Sequence, residues 1–266
     1  MVCACPAGRA QRRQTGMNRV YEYGATFYSF LDSFAVRSAG RIVPLVMAAL
    51  PIASVVDFGC GQGAWLHVWR GAGADILGVD GPYVDRSRLL IPAEAFLPAD
   101  LASPLDLHRR FDLVQSLEVA EHLPPACADA FIAMLTRHGD AVLFSAAVPG
   151  QGGEHHVNEQ PLAFWRGLFA ARGYRAVDLV RPAVRGDAGV QRWYCCNTVL
   201  YVNDAAAARL APSARDAILP GTQPLPSYWT AAERIRQSFV RTLPLSVVDR
   251  LSSIRATLSA RRAGAA

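Results

Sequence analysis

Apolar runs of four to six residues recur through the middle of the chain, each followed by residues whose apolar positions fall three or four apart. Short runs bounded by Gly, Pro, Asn or Asp read as buried strands, and the wider spacing reads as helix. The pattern predicts strands at 54–58, 76–80, 95–98, 113–116, 141–145, 174–179 and 198–202. Helices are predicted at 63–71, 105–109, 125–136 and 161–172. Strands alternating with helices predict an α/β domain built on a seven-stranded, mostly parallel sheet. The connection 180–197 reads as irregular, with Cys195 and Cys196 in a strand-like run, so the last strand is expected to return antiparallel. Ahead of the first strand, 21–50 reads as helices, with Pro44 near a first turn.

Beyond residue 203 the pattern changes to a Pro-rich linker and two helical patterns. In the second, Leu245, Val248, Leu251, Ile254 and Leu258 share one face, with arginines largely elsewhere. Docking on the domain is the expectation for such a helix; contact with a membrane surface or a partner is the other reading it permits. The richest apolar stretch, 42–56, is broken by Pro44 and Pro51. No apolar run reaches the ~18 residues that a membrane span needs.

Charge changes the picture less than the total suggests. Of the 266 residues 52% are hydrophobic, which predicts an ordered globule, and the formal net charge is +5. Residues 20–203 hold 14 Arg and 18 acids, whereas 1–19 hold four Arg and no acid, and 204–266 hold nine Arg and four acids. The basicity sits at the two ends, so a basic groove for nucleic acid across the body is disfavoured. The cysteines (Cys3, Cys5, Cys60, Cys127, Cys195 and Cys196) have neither a disulfide-framework nor a zinc spacing, and a reduced cytoplasmic protein is expected. Residues 1–16 lack a signal-peptide core and read as a disordered arm, or as sequence upstream of a start at Met17. The expected organisation is an arm at 1–16, a catalytic domain at 17–203 and an extension at 204–266.

The strongest chemical signal is Asp57-Phe58-Gly59-Cys60-Gly61-Gln62-Gly63, a strand running into a glycine turn and then a helix. Glycines at 59, 61 and 63 let the backbone turn tightly and approach a ligand, and the following helix offers free N–H groups. Asp80 closes the next strand, where a carboxylate can accept from both hydroxyls of a ribose, and Asp100 follows the strand after that. A nicotinamide cofactor and S-adenosylmethionine (SAM) both fit this pattern. The acid before the first glycine resembles motif I of the class I SAM-dependent methyltransferases and is a poor match to the dehydrogenase fingerprint. The resemblance covers about 21–202, including the RSA, VDG-x-YVDR, SLEVAEHLP and PGQGG segments shared with a bacterial methyltransferase group. It implies a Rossmann-like fold with an N-terminal helical lid, to which the pattern beyond 203 adds a C-terminal helical extension. It also implies that Asp57, Gly59, Gly61 and Gly63 lie against the methionine part of SAM. Asp80 with Gly81 would hold the ribose, Asp100 with Leu101 the adenine, and Gln115 to Glu118 the floor near the sulfonium.

A second constellation follows the fourth strand. Glu118, Glu121 and His122 stand at i, i+3 and i+4, so a helical turn would put two carboxylates and an imidazole on one face. That set suits Mg²⁺ or Mn²⁺, with a further ligand from Glu154-His155-His156 on the loop after the fifth strand. The segment is similar to the Glu-x-x-Glu-His of small-RNA 2′-O-methyltransferases and of ubiquinone-pathway O-methyltransferases. The resemblance implies Glu118, Glu121, His122 and His156 as metal ligands. Without a metal, the glutamates would cap helix N–H groups and His155, His156 or His122 would be the general base. His67 and His138 read as helix-surface residues and His108 as exposed. The loop 149–153 is glycine-rich and expected to close over substrate, and Tyr21, Tyr23, Phe27, Tyr28, Trp165, Trp193 and Tyr194 are candidate pocket walls. The expected activity is methyl transfer from SAM to a hydroxyl of a small molecule, sugar or phenolic. Two alternatives stay open: an RNA ribose 2′-O-methyltransferase and a non-catalytic SAM-binding module.

Overall fold

The Val- and Leu-rich runs form strands covered on both faces, which is why they carry no polar side. A computed structural model describes residues 25–221 and 224–263, with side chains for 34–221 and 224–254. In chain order the elements are α1 (Ala25–Ala49), β1 (Ser54–Phe58), α2 (Ala64–Gly71), β2 (Asp75–Asp80), β3 (Phe96–Pro98), β4 (Leu113–Leu117), α3 (Ala128–His138) and β5 (Ala141–Ser145). There follow α4 (Leu162–Ala170), β6 (Arg175–Val177), α5 (Val180–Ala183), α6 (Arg192–Asn197), β7 (Val199–Val202), α7 (Asp204–Arg209), α8 (Pro212–Arg215), α9 (Ala231–Val240) and α10 (Leu245–Ala263).

The seven strands form one sheet in the order β3-β2-β1-β4-β5-β7-β6. Pairings from β3 to β5 are parallel, while β7 runs antiparallel to both β5 and β6. Alternate side chains feed two cores: Val55, Leu113, Leu143 and Leu200 join α1, α2 and α6, and Val56, Val114, Phe144 and Tyr201 join α3 and α4. The strand order reverses between β1 and β4. At such a switch point the flanking connections leave in opposite directions, opening a crevice beyond the carboxyl ends of the strands. Among the described residues no helix is long and apolar enough to cross a membrane.

Several expectations change. The stretch 21–50 contains one long helix over its described part, and Pro44 lies inside it. Residues 105–109 are irregular: Asp106 accepts from the His108 N–H and buried His138 from the Leu107 N–H, so side chains take the donors a helix would use. His138 is thus a core group, with Nδ1 2.7 Å from the Met134 carbonyl. The connection 180–197 holds two short helices, and Cys195 and Cys196 are buried in α6. Short apolar runs carry no period strong enough to separate helix from strand. Past β7, Ala206, Leu210 and Ala214 pack into the main core and Ile218 bridges Val177, so the chain beyond 203 continues into the domain before it becomes a linker. The arm at 1–16, Tyr21 and Tyr23 lie outside the described residues, as do the side chains of Phe27, Tyr28 and Leu258.

Candidate functional site

Three elements bring acids to one edge of the sheet: Asp57 on β1, Asp80 at the end of β2, and the turn after β4. Gly59, Gly61 and Gly63 all have positive φ; a Cβ on Gly59 would in addition meet Val119 at 2.2 Å, and Gly63 at φ 83 is the N-cap of α2. Gly61 has nothing near its Cβ position and borders the cleft, so its backbone is open to a ligand. Asp57 is buried, and Gln115 Nε2 donates to its Oδ2 at 2.8 Å while Oδ1 has no partner. Burial, with Asp80 nearby, outweighs the Gln115 bond and pushes Asp57 up to about 7. Gln115 itself is not on the cleft floor: it is sealed between Asp57 and Trp69, whose Nε1 donates to it at 2.9 Å. It lies two residues short of the strand end, and Leu117 takes the floor position.

The cleft has two lobes that share Gly59, Gly61, Glu118 and His122. The smaller, about 540 Å³, is bordered by Asp80, Gly81, Asp100 and Leu101. Asp80 accepts from Gly61 N at 2.7 Å, and from Gly81 N and the Tyr83 hydroxyl at 2.6 Å each. Tyr83 folds across Gly81, where a Cβ would fall 2.0 Å from the ring, although most of its surface faces solvent. Asp100 accepts from Ala102 N and the Ser103 hydroxyl, which fixes the turn after β3.

The larger lobe, about 830 Å³, lies between the glycine turn and the loop after β5. At its rim Glu121, His122 and His156 have donor atoms all within 4.8 Å of one another, and Glu118 is outside that group. The chain is left-handed at Glu118 (φ 56), and 120–122 form a 3-10 turn, so the helical spacing that would have aligned both glutamates is absent. The Glu118 carboxylate instead accepts from Gln151 Nε2 at 2.8 Å and Asn197 Nδ2 at 3.3 Å. Glu121 is fully buried, neither of its oxygens has a hydrogen-bond partner, and burial followed by the Glu118 charge pushes it well above the ordinary carboxylate range. His122 is pulled down to about 4, first by burial and then by the neighbouring His156, so it is neutral at physiological pH.

Backbone bonds explain how His156 gets there. The Glu121 carbonyl accepts from Val157 N and Asn158 N at 2.9 Å each, pinning the second histidine segment on the first. The His122 and His156 rings meet edge-on, with centroids 4.9 Å apart. Glu159 organises the loop by accepting from Gly150 N and Gly152 N, and its Oε1 lies 2.9 Å from His156 Nδ1. A Cβ on Gly153 would fall 2.0 Å from His156 Nε2, so the ring needs glycine there. His155 is turned out to solvent at φ 56, with its N–H donating to Asp249, and takes no part in the cleft wall.

Of the expected aromatics, Trp193 and Tyr194 wall the larger lobe, whereas Trp165 is buried against Phe144 beneath α4. Phe34 and Ala35 of α1 reach the lobe, placing that helix over it. Sequence reasoning missed Trp65, which donates to the Tyr194 hydroxyl, together with Tyr83, Asn197 and Ser252 of α10. Glu159 had a local signal, three residues after His156 in a glycine-flanked loop; Asn197 and Ser252 had none, because each arrives from a distant element.

The family model described as a methyltransferase domain matches residues 37–179. No curated protein matches the chain. Among solved structures, DesVI of Streptomyces venezuelae is 16% identical, with a TM-score of 0.50 covering 66% of this chain and 95% of that one. The sugar N-methyltransferase KedS8 of a Streptoalloteichus species is 16% identical, with a TM-score of 0.49 covering 75% and 99%. The magnesium protoporphyrin IX methyltransferase (ChlM) of Synechocystis PCC 6803, solved with SAH, is 19% identical, with a TM-score of 0.47 covering 71% and 90%. At 16% identity the likeness to DesVI speaks for the fold alone.

Proposed function

This chain belongs to the class I SAM-dependent methyltransferases, and from that premise we propose that it methylates a hydroxyl of a small molecule, a sugar or a phenol, with help from a divalent cation. SAM supplies a methyl group already activated on a sulfonium, so the protein's task is alignment and removal of the acceptor proton. The residues present fit that cofactor: Asp57, whose buried Oδ1 has no partner, lines the lobe with Gly59 and Gly61 and would offer an acceptor for the ammonium of a methionine group. Asp80 would take the ribose hydroxyls and Asp100 with Leu101 would flank the base, in the smaller lobe.

The observation that carries the metal part is Glu121. A buried carboxylate without a hydrogen bond is costly unless a cation completes it, and two histidine nitrogens lie within 4.8 Å of it. His122, neutral by burial, has a lone pair to give. His156 is oriented through Nδ1 by Glu159, the carboxylate–histidine arrangement that aims and strengthens a ligating imidazole. Glu121, His122 and His156 would hold Mg²⁺ or Mn²⁺, with open positions toward the cleft for acceptor oxygens, and the ion would lower the acceptor's pKa. Glu118 keeps the role of a half-buried strut that orders Gln151 on the cleft wall and Asn197 behind it. A lobe roofed by Phe34, Trp193 and Ser252 suits a small acceptor better than a polynucleotide.

Homocysteine release with candidate sugars and phenols, before and after EDTA, tests this reading. Chelation should abolish turnover and Mn²⁺ should restore it, and Glu121→Gln should remove Mn²⁺ binding seen by electron paramagnetic resonance while SAM binding persists. Full activity after chelation would assign proton removal to His156 alone.

A further inference from the structure

Helices α9 and α10 have two unlike faces. Their inner face grips the loop that carries the active-site histidines. Arg236 and Arg241 donate to the carbonyls of Gln151 and Pro149, and Asp249 accepts from His155 N. Gly150 sits so close that a Cβ would lie 2.1 Å from the Gln237 carbonyl. Their outer face carries large apolar side chains in water: Ile235 is 72% and Phe239 64% exposed on α9, with Val247, Leu251 and Ile254 on α10. Exposed apolar side chains on two consecutive helices are expensive unless something covers them.

Charge says what covers them. The only acids between 231 and 254 are Glu233 and Asp249, and both are used inward, Glu233 by Arg192 and Asp249 by the His155 amide. The outer face is left with apolar groups and the exposed Arg234 and Arg250, neither of which has an ion pair among the described residues. On α10, Arg250 falls three residues from Val247 and four from Ile254, within the apolar row. Apolar side chains interleaved with arginine and free of acid are the composition of a helix that lies in a lipid interface. A contact with a second copy of this face would set these arginines against one another, with no acid on the face to pair them.

We propose that the outer face of α9 and α10 docks on an anionic bilayer surface. Ile235, Phe239, Leu251 and Ile254 enter the boundary between headgroups and acyl chains, and Arg234 and Arg250 rest against lipid phosphates. Because the inner face of α10 includes Ser252 on the cavity wall, docking sets the active site one helix thickness from the membrane.

The test uses the full chain and vesicles, and it needs neither methyl acceptor nor metal, so its outcome is separate from that of the proposed activity. The protein should sediment with vesicles of phosphatidylcholine and phosphatidylglycerol, stay in the supernatant with phosphatidylcholine alone, and be released by high salt. Removing both arginines (Arg234→Ala with Arg250→Ala) should lower partitioning by roughly thirtyfold, at about one kcal/mol per cation near the surface. Phe239→Ser with Leu251→Ser should lower it by at least about tenfold, and both pairs should leave thermal unfolding unchanged because these side chains face water. No sedimentation with anionic vesicles, or equal binding to both kinds, would overturn the proposal. So would a dimer in analytical ultracentrifugation that Phe239→Ser dissolves, since the face would then be a subunit interface.

Discussion

Asp80 is held by more donors than a ribose-binding carboxylate can spare. Gly61 and Gly81 fix its orientation, and the Tyr83 hydroxyl occupies a lone pair that a ribose hydroxyl would want. Asp80→Ala should weaken SAM binding by roughly 2–4 kcal/mol, two charge-assisted bonds' worth, and Tyr83→Phe should tighten it by about threefold to tenfold. Calorimetric titration distinguishes these; weaker binding by Tyr83→Phe would mean that the ring stays and serves the ligand. Asp57 makes a pH prediction. Its folded pKa, about 7, lies above the ordinary 3.8, so between those values the folded protein keeps a proton that the unfolded chain has lost. Stability from that proton is full below the ordinary pKa and is lost as pH rises toward about 7. Asp57→Asn still accepts from Gln115 and has no charge to bury. Relative to the parent it should gain on the order of 3 kcal/mol between about pH 4 and pH 8 in urea unfolding. Parallel curves would show that Asp57 is ionised throughout. Glu118 and Glu121, also raised by burial, contribute the same slope to both proteins and cancel.

At the scale of elements, the connection from β6 to β7 is stabilised by a buried ion pair. Arg181 at the start of α5 donates to both Asp178 oxygens at 2.7 Å, and to the carbonyls of Cys196 and Pro226. One guanidinium therefore ties α5, α6 and the linker, and explains why a stretch that reads as irregular is helical and buried. Arg181→Ala leaves Asp178 charged and alone in the core, which costs about 3–5 kcal/mol, whereas replacing both partners by apolar residues should recover much of it. Equilibrium unfolding of the three proteins checks this; a small loss in the single variant would mean that water reaches Asp178.

For the whole molecule, the decisive feature is where the chain goes after β7. Ala206, Leu210 and Ala214 enter the main core, and Arg209 reaches Asp112, which itself holds the start of β1. A chain ended at 203 should aggregate, because core surface on α1 loses its cover; one ended at 221 should stay soluble and bind SAM. Recovery in the soluble fraction and a SAM-induced thermal shift report the outcome, and a soluble, SAM-binding chain ended at 203 would restore the simpler boundary. The matched family region ends at 179, so the closing strand, the core-filling turn and the two helices over the histidine loop all lie beyond it.

The sequence by itself determined the strands, their mostly parallel arrangement and the glycine turn with its acids. Those features are local: an apolar run long enough for one strand, a turn that only glycine permits, an acid at a strand end. Gly63 and Asp80 needed no partner to be read. What only the tertiary structure decided depends on direction and distance. A left-handed residue at Glu118 turned one expected ligand toward Gln151 and Asn197. Two backbone bonds on the Glu121 carbonyl brought His156 to His122 and left neighbouring His155 in solvent. Residues adjacent in sequence point to opposite sides of a loop, and spacing cannot say which one faces in. The same holds for α9 and α10: their apolar residues were plain in the sequence, but only the fold, by engaging Asp249 and Glu233 inward, left the outer face with apolar groups and arginine alone.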